Sequence, residues 1–176
     1  MALATLFAAA TILAAAQAEP APDDAFAQAR AGRLLCSAPN VARRTCESLS
    51  RFTWSKDGRV RQTSETLLAQ DPVLSFKSSS TGMMRSGAYC GTVGSEDVDD
   101  AVFIVDGRPA PRRVAEQLHE LLSSALADFV GREVCLSFMP SGSGFRSVVT
   151  VNGLNYTHLS ETVIWVRPNE GYAVKP

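Results

Sequence analysis

With 176 residues, 45% of them hydrophobic and 20% charged, the chain has the composition of a folded soluble protein and is long enough to bury a core of its own. A formal net charge of −1 excludes a general electrostatic attraction to nucleic acid. Arginine carries most of the positive charge, with lysine only at Lys56, Lys77 and Lys175, and together with the alanine content this usage points to a GC-rich bacterial genome.

The first eighteen residues, MALATLFAAATILAAAQA, hold no charged side chain and end in Ala16-Gln17-Ala18, the small-x-small pattern of a signal-peptidase site. Residues 1–18 therefore read as a signal peptide cleaved after Ala18, although only the terminal amine supplies positive charge ahead of the apolar run. No later stretch approaches the ~20 apolar residues of a membrane span, so the remainder is expected to be periplasmic or secreted. Residues 19–33 form a flexible N-terminal segment: EPAPDD is a proline-interrupted exit from the leader, and Asp23 or Asp24 can cap a short helix over DAFAQARAG that Gly32 ends.

Residues 34–176 read as one α+β domain. From SLSRFTW onward the apolar period becomes two, with Phe52 and Trp54 on one face of a strand. The KDG turn at 56–58 leads into RVRQTSETLL, Asp71-Pro72 into VLSFKSS, and STGM into MRSGAYCGTV, which makes an antiparallel β-meander. AVFIV at 101–105 reads as a buried fifth strand ended by Asp106-Gly107. Over residues 111–131, Val114, Leu118, Leu121, Leu122, Ala125, Phe129 and Val130 recur at helical spacing, with Pro111 at the start and Gly131 at the end. This long amphipathic helix is expected to pack on the sheet, so that Leu122→Ala costs about 2–5 kcal/mol. Three C-terminal strands, EVCLSFM, FRSVVTV and ETVIWV, complete a mostly antiparallel sheet.

Four cysteines, Cys36, Cys46, Cys90 and Cys135, enter an oxidising compartment in which thiols pair. None forms C-x-x-C, which argues against a thioredoxin-like site and a zinc ribbon. Loop length favours Cys36 with Cys46 and Cys90 with Cys135, the latter joining two strands, each bridge stabilising by about 2–4 kcal/mol.

Catalytic signatures are sparse. His119 has Glu116 and Ser123 on its own helix, but side chains so arranged project in parallel and do not converge on one reacting atom. PSGSGF places Ser141 where a nucleophile elbow needs Gly, and Ser-x-x-Lys is missing. Glu65, Glu133 and Glu161 fall on or beside strands and could pair for glycoside hydrolysis, yet nothing in the sequence brings two together. SEDVDD lacks the alternating oxygens and Gly of a calcium loop, and no metal or cofactor is assigned. The first third is basic, and Arg43, Arg44, Arg51, Arg59 and Arg61 form a candidate contact surface for a protein or envelope partner; without interleaved aromatics they do not read as a nucleic-acid platform. The expected function is a non-catalytic, exported, disulfide-stapled binding or interaction domain, with a small secreted hydrolase of dispersed acid and base residues as the alternative.

Overall fold

The computed structural model describes residues 25–176; the leader and cleavage site read at 1–18 and the polar segment at 19–24 lie outside the described residues. In chain order the elements are α1 (Ala27–Arg30), β1 (Leu34–Ser37), β2 (Thr45–Cys46), β3 (Ser48–Trp54), β4 (Arg59–Gln70), β5 (Val73–Arg85), β6 (Ala88–Thr92) and α2 (Glu96–Asp99). There follow β7 (Val102–Val105), β8 (Arg108–Pro109), α3 (Arg112–Leu126), β9 (Glu133–Ser141), β10 (Gly144–Val151), β11 (Leu154–Asn155), β12 (Thr162–Val166) and β13 (Ala173–Val174).

Eight of these strands, β1, β3, β4, β5, β6, β9, β10 and β12, pair antiparallel in sequence order, and β12 returns to β1 with Trp165 opposite Leu35. The ring is closed. The expected α+β architecture, a mostly antiparallel sheet with the long helix packed on it, is therefore overturned: this is a mostly β domain built on an eight-stranded closed antiparallel barrel with extra strands. The physical reason is that walls of a barrel face one another. Their inward side chains bury each other, and no helix is needed to cover an apolar face.

Alternation sets the two surfaces. Leu35, Phe52, Val60, Tyr89, Phe138, Val163 and Trp165 point inward and form the core, with Trp54, Met84, Leu136 and Phe145 packed against it. Arg51, Arg61, Glu65, Lys77 and Arg146 alternate with them on the outside. This is the reverse of a membrane-spanning barrel, whose outward band is apolar. Among the described residues no helix is long and apolar enough to cross a membrane.

One end of the barrel, here the lower end, is plugged from within by α1. Phe26 is 2% exposed and its ring lies 5.2 Å from Phe52, 5.0 Å from Phe138 and 6.2 Å from Trp165. The expected short helix is thus present; it begins after Phe26, which anchors it, and the expected caps Asp23 and Asp24 lie outside the described residues. Arg30 lies over the Trp54 ring at 5.7 Å.

The turn expected at STGM is also corrected. β5 runs unbroken through it, and the chain reverses at Ser86 and Gly87. Gly82 serves close packing here: a Cβ at this position would lie 2.3 Å from the Cys90 carbonyl oxygen and 2.8 Å from the Tyr89 ring. Glycine leaves room for the Tyr89 ring against β5.

Between β6 and β9 the chain leaves the barrel at its upper end to form α2, the β7–β8 hairpin and α3. β7 extends the sheet from the upper half of β5, pairing Phe103 with Phe76. The neck of this excursion is tied by the Val93 N–H on the Arg132 carbonyl (3.1 Å) and the Gly131 N–H on the Val93 carbonyl (2.8 Å). Helix α3 is amphipathic as expected, but Leu118, His119, Leu122 and Leu126 are only half-buried, Val114 and Leu121 are exposed, and no residue of the helix is fully buried. It borders the barrel against β7 and α2. Leu122→Ala is accordingly expected to cost about 1 kcal/mol, roughly half the value of burying a leucine completely, as read by urea unfolding; a loss above about 3 kcal/mol would restore the fully docked helix.

Both disulfides form as expected. Cys36 and Cys46 have Cα atoms 5.5 Å apart, and Cys90 and Cys135 occupy directly opposed positions of β6 and β9 at 4.0 Å. The first pair sits in a small second core with Val166, Leu34, Leu49, Ile164 and Tyr172, where β13 adds to β2 and ties down the C-terminal segment.

Candidate functional site

The lower half of the barrel is filled with aromatic side chains; the upper half is not. A cavity of about 230 Å³ runs from mid-barrel to the upper rim, lined by Gln62 of β4, Ser80 of β5, Tyr89 and Gly91 of β6, Val134 and Leu136 of β9, Val149 of β10, the neck residues Thr92 and Val93, and Asp97 of α2. Eight strands give a barrel just wide enough to be filled by side chains or to hold one small ligand; here side chains fill it below Tyr89 and a cavity remains above.

The wall formed by β3, β4 and β5 is polar because these strands carry hydroxyl or amide groups at successive inward positions, Ser48 and Ser50, Gln62, Ser64 and Thr66, and Ser78 and Ser80. Thr66 Oγ1 donates to Ser48 Oγ (3.1 Å), Gln62 Nε2 to Ser50 Oγ (3.2 Å), and the hydroxyls of Ser64 and Ser78 meet at 3.1 Å. Ser80 Oγ and the Tyr89 hydroxyl share a hydrogen bond of 3.0 Å at the edge of the cavity. Burial pushes the Tyr89 pKa up; the hydrogen bond with Ser80 opposes this, and the charge of Asp97 adds to the rise. The phenol thus stays neutral and keeps its hydrogen-bonding capacity at physiological pH. Asp97 is positioned by its own turn, with Oδ2 accepting the Gly94 N–H at 2.9 Å. The opposite wall, Val134, Leu136 and Val149, is apolar.

Glu161 stands at the upper rim where β12 begins. Desolvation of its carboxyl, then the neighbouring Glu47 charge, push its pKa up, and a hydrogen bond from Ser37 opposes them. A raised folded pKa means that the contribution of this group to stability is fully present below the ordinary value of 4.5 and is lost as pH rises through the folded value. Glu161→Gln is therefore expected to unfold at a higher temperature than the wild type near neutral pH, and with no such advantage in acid below 4.5. An equal or lower midpoint for the variant near neutrality would contradict this sign.

The other residues singled out from the sequence are dispersed. Glu65 accepts from Ser75 Oγ (2.9 Å) and pairs with Lys77 (3.8 Å), while Glu133 pairs with Arg85, so Glu65, Glu133 and Glu161 each have separate partners. His119 faces the Ala115 carbonyl through Nδ1 (2.8 Å), its ring stands edge-on to Phe103 at 4.9 Å, and its buried Nε2 has no hydrogen-bond partner among the described residues. Glu116 binds Arg112 (2.9 Å). Among the described residues no group of three or more His, Cys, Asp or Glu side chains is placed to hold a metal ion.

Of the basic residues, Arg51 and Arg61 emerge on the outer faces of neighbouring strands, Arg61 donating to Ser79 Oγ (3.1 Å). Arg59 pairs with Asp57 (3.3 Å), and Arg43 and Arg44 belong to the loop between β1 and β2, where Arg44 donates to the Glu170 carbonyl (3.3 Å). Arg51, Lys77, Glu65 and Asp100 border an open outer groove of about 410 Å³, in which cations and acids are balanced in number.

Gln62, Ser80 and Tyr89 escaped the sequence reading because they come from three strands and share no local spacing. The signal that could have found them is the density of hydroxyl residues at alternate positions in RQTSETLL and SFKSSST. Compared with protein-family models, with curated proteins and with solved structures, the chain gives no match.

Proposed function

We propose that this is an exported, disulfide-stapled, non-catalytic binding domain that takes one small ligand into the upper mouth of its barrel. The observation that carries the reading is the contrast within one lumen: aromatic packing below Tyr89, and above it an open-mouthed cavity with one apolar wall and a few convergent polar groups. That combination is the usual make-up of a ligand pocket. Hydrolysis would need an acid and a base converging on one atom, whereas Asp97 is the single carboxylate lining this cavity among the described residues. The two disulfides suit an exported domain that must persist in an oxidising compartment. In this reading the outer face with Arg51 and Arg61 serves contact with a protein or envelope partner, together with Arg43, Arg44 and Arg59.

Nuclear magnetic resonance tests the proposal with a small neutral aromatic library. The amide shifts that move are expected to cluster on Gly91, Val93, Val134 and Val149, and Val149→Phe, which fills the cavity, is expected to weaken binding on the order of tenfold or more. Shifts confined to the outer groove, or binding unchanged in the filled variant, would overturn the proposal.

A further inference from the structure

We infer that the mouth cavity selects a small amphipathic amine: an apolar body seated against Val93, Val134, Leu136 and Val149, with its ammonium group directed to the Asp97 carboxylate. This rests on reading the cavity as a binding site, and it adds the chemistry that the lining dictates.

Size comes first. At about 230 Å³ the cavity is smaller than the roughly 300–1,000 Å³ of sites for drug-sized molecules. It therefore suits a ligand of about one ring and a short tail. The apolar wall gains from contact with a hydrocarbon body. Gly91, which contributes no side chain, keeps the space open beside that wall, and a Cβ there would already press on the Thr81 carbonyl at 3.1 Å.

The charge balance of the lining decides the class. Gln62, Ser80 and Tyr89 supply neutral hydrogen-bonding groups, and the one hydrogen bond shared by the Ser80 and Tyr89 hydroxyls uses only one of their two O–H donors. Among the described residues, Asp97 is the only ionisable side chain of the lining besides Tyr89, and no Lys, Arg or His lines the cavity. Only one oxygen of Asp97 takes the Gly94 N–H, so the carboxylate retains accepting capacity. The Asp97 charge is felt across the cavity at the Tyr89 hydroxyl, which places the two groups within electrostatic reach of one ligand. An anionic ligand would meet this fixed negative charge with no compensating cation among the lining residues. A neutral ligand would leave the carboxylate without a counter-charge. A protonated amine satisfies it with a charge-assisted hydrogen bond, stronger than a neutral one.

Calorimetric titration of the mature chain with three probes of matched size, 2-phenylethylamine, 2-phenylethanol and phenylacetate, tests the inference. The amine is expected to bind on the order of tenfold more tightly than the alcohol, with phenylacetate weakest, and added salt is expected to narrow the gap. Asp97→Asn keeps an acceptor for the Gly94 N–H, which circular dichroism checks, and is expected to bring the amine to the affinity of the alcohol. Equal binding of amine and alcohol by the wild type, or an amine affinity unchanged in the Asn variant, would overturn the amine selectivity while leaving the cavity as a binding site. Failure of all three probes to bind would overturn the selectivity as well; the library experiment above then decides separately whether the cavity binds anything. Tight amine binding that survives Val149→Phe would also overturn it, because the amine would then sit elsewhere.

Discussion

Phe26→Ala is expected to lower the unfolding free energy by about 3–5 kcal/mol, the usual cost of removing a buried aromatic ring. Phe26 is 2% exposed and touches three rings from three different strands, Phe52 of β3, Phe138 of β9 and Trp165 of β12. Removing it leaves a void that strands tied into a closed ring cannot collapse to fill. The barrel floor would then be hollow, and the segment carrying Ala25 and Ala29 would lose its anchor. Denaturant unfolding of the variant reads the loss directly. A change below about 1 kcal/mol would mean that the plug is not packed as described.

The second large effect concerns the bridge between β6 and β9. Replacing Cys90 and Cys135 together by serine is expected to cost about 4 kcal/mol, because the bridge spans 45 residues and closure of a loop of that length restricts the unfolded chain strongly. The same change at Cys36 and Cys46, separated by 10 residues, is expected to cost about 3 kcal/mol. The order follows from the geometry of the chain: the longer loop contains the entire excursion of α2, the β7–β8 hairpin and α3, whose own packing is shallow. Guanidinium unfolding of the two double variants under oxidising conditions checks both size and order. A smaller loss for the Cys90 and Cys135 pair than for Cys36 and Cys46 would show that the excursion holds its neck closed without the bridge.

Much of the local structure was legible because strand periodicity is a short-range property. Phe52 and Trp54, two positions apart, mark the inward face of β3, and the KDG turn leads into β4 where expected. The cysteine pairing was legible for a similar reason, since loop length and strand placement both favoured it. Closure of the barrel was not. It depends on Leu34 meeting Val166 across nearly the whole described chain, and nothing in either segment names its partner. Gly82 misled because a glycine beside Thr and Ser resembles a turn, whereas here it makes room for the Tyr89 ring. The apolar stripe of α3 is real, yet its amplitude says only that one face is less polar, not how deeply that face is buried. The cavity residues Gln62, Ser80, Tyr89 and Asp97 lie on four elements, and a site assembled by long-range pairing has no local spacing to read.

The barrel described here is closed below by Phe26 and open above at an apolar wall. Diffraction from crystals under xenon pressure tests this division most directly, since xenon enters apolar cavities and not packed cores. An anomalous peak is expected between Val134, Leu136 and Val149, with none among Phe26, Phe52 and Phe138. An empty mouth, or a peak beneath Tyr89 among those rings, would contradict the division of the lumen and the binding function built on it.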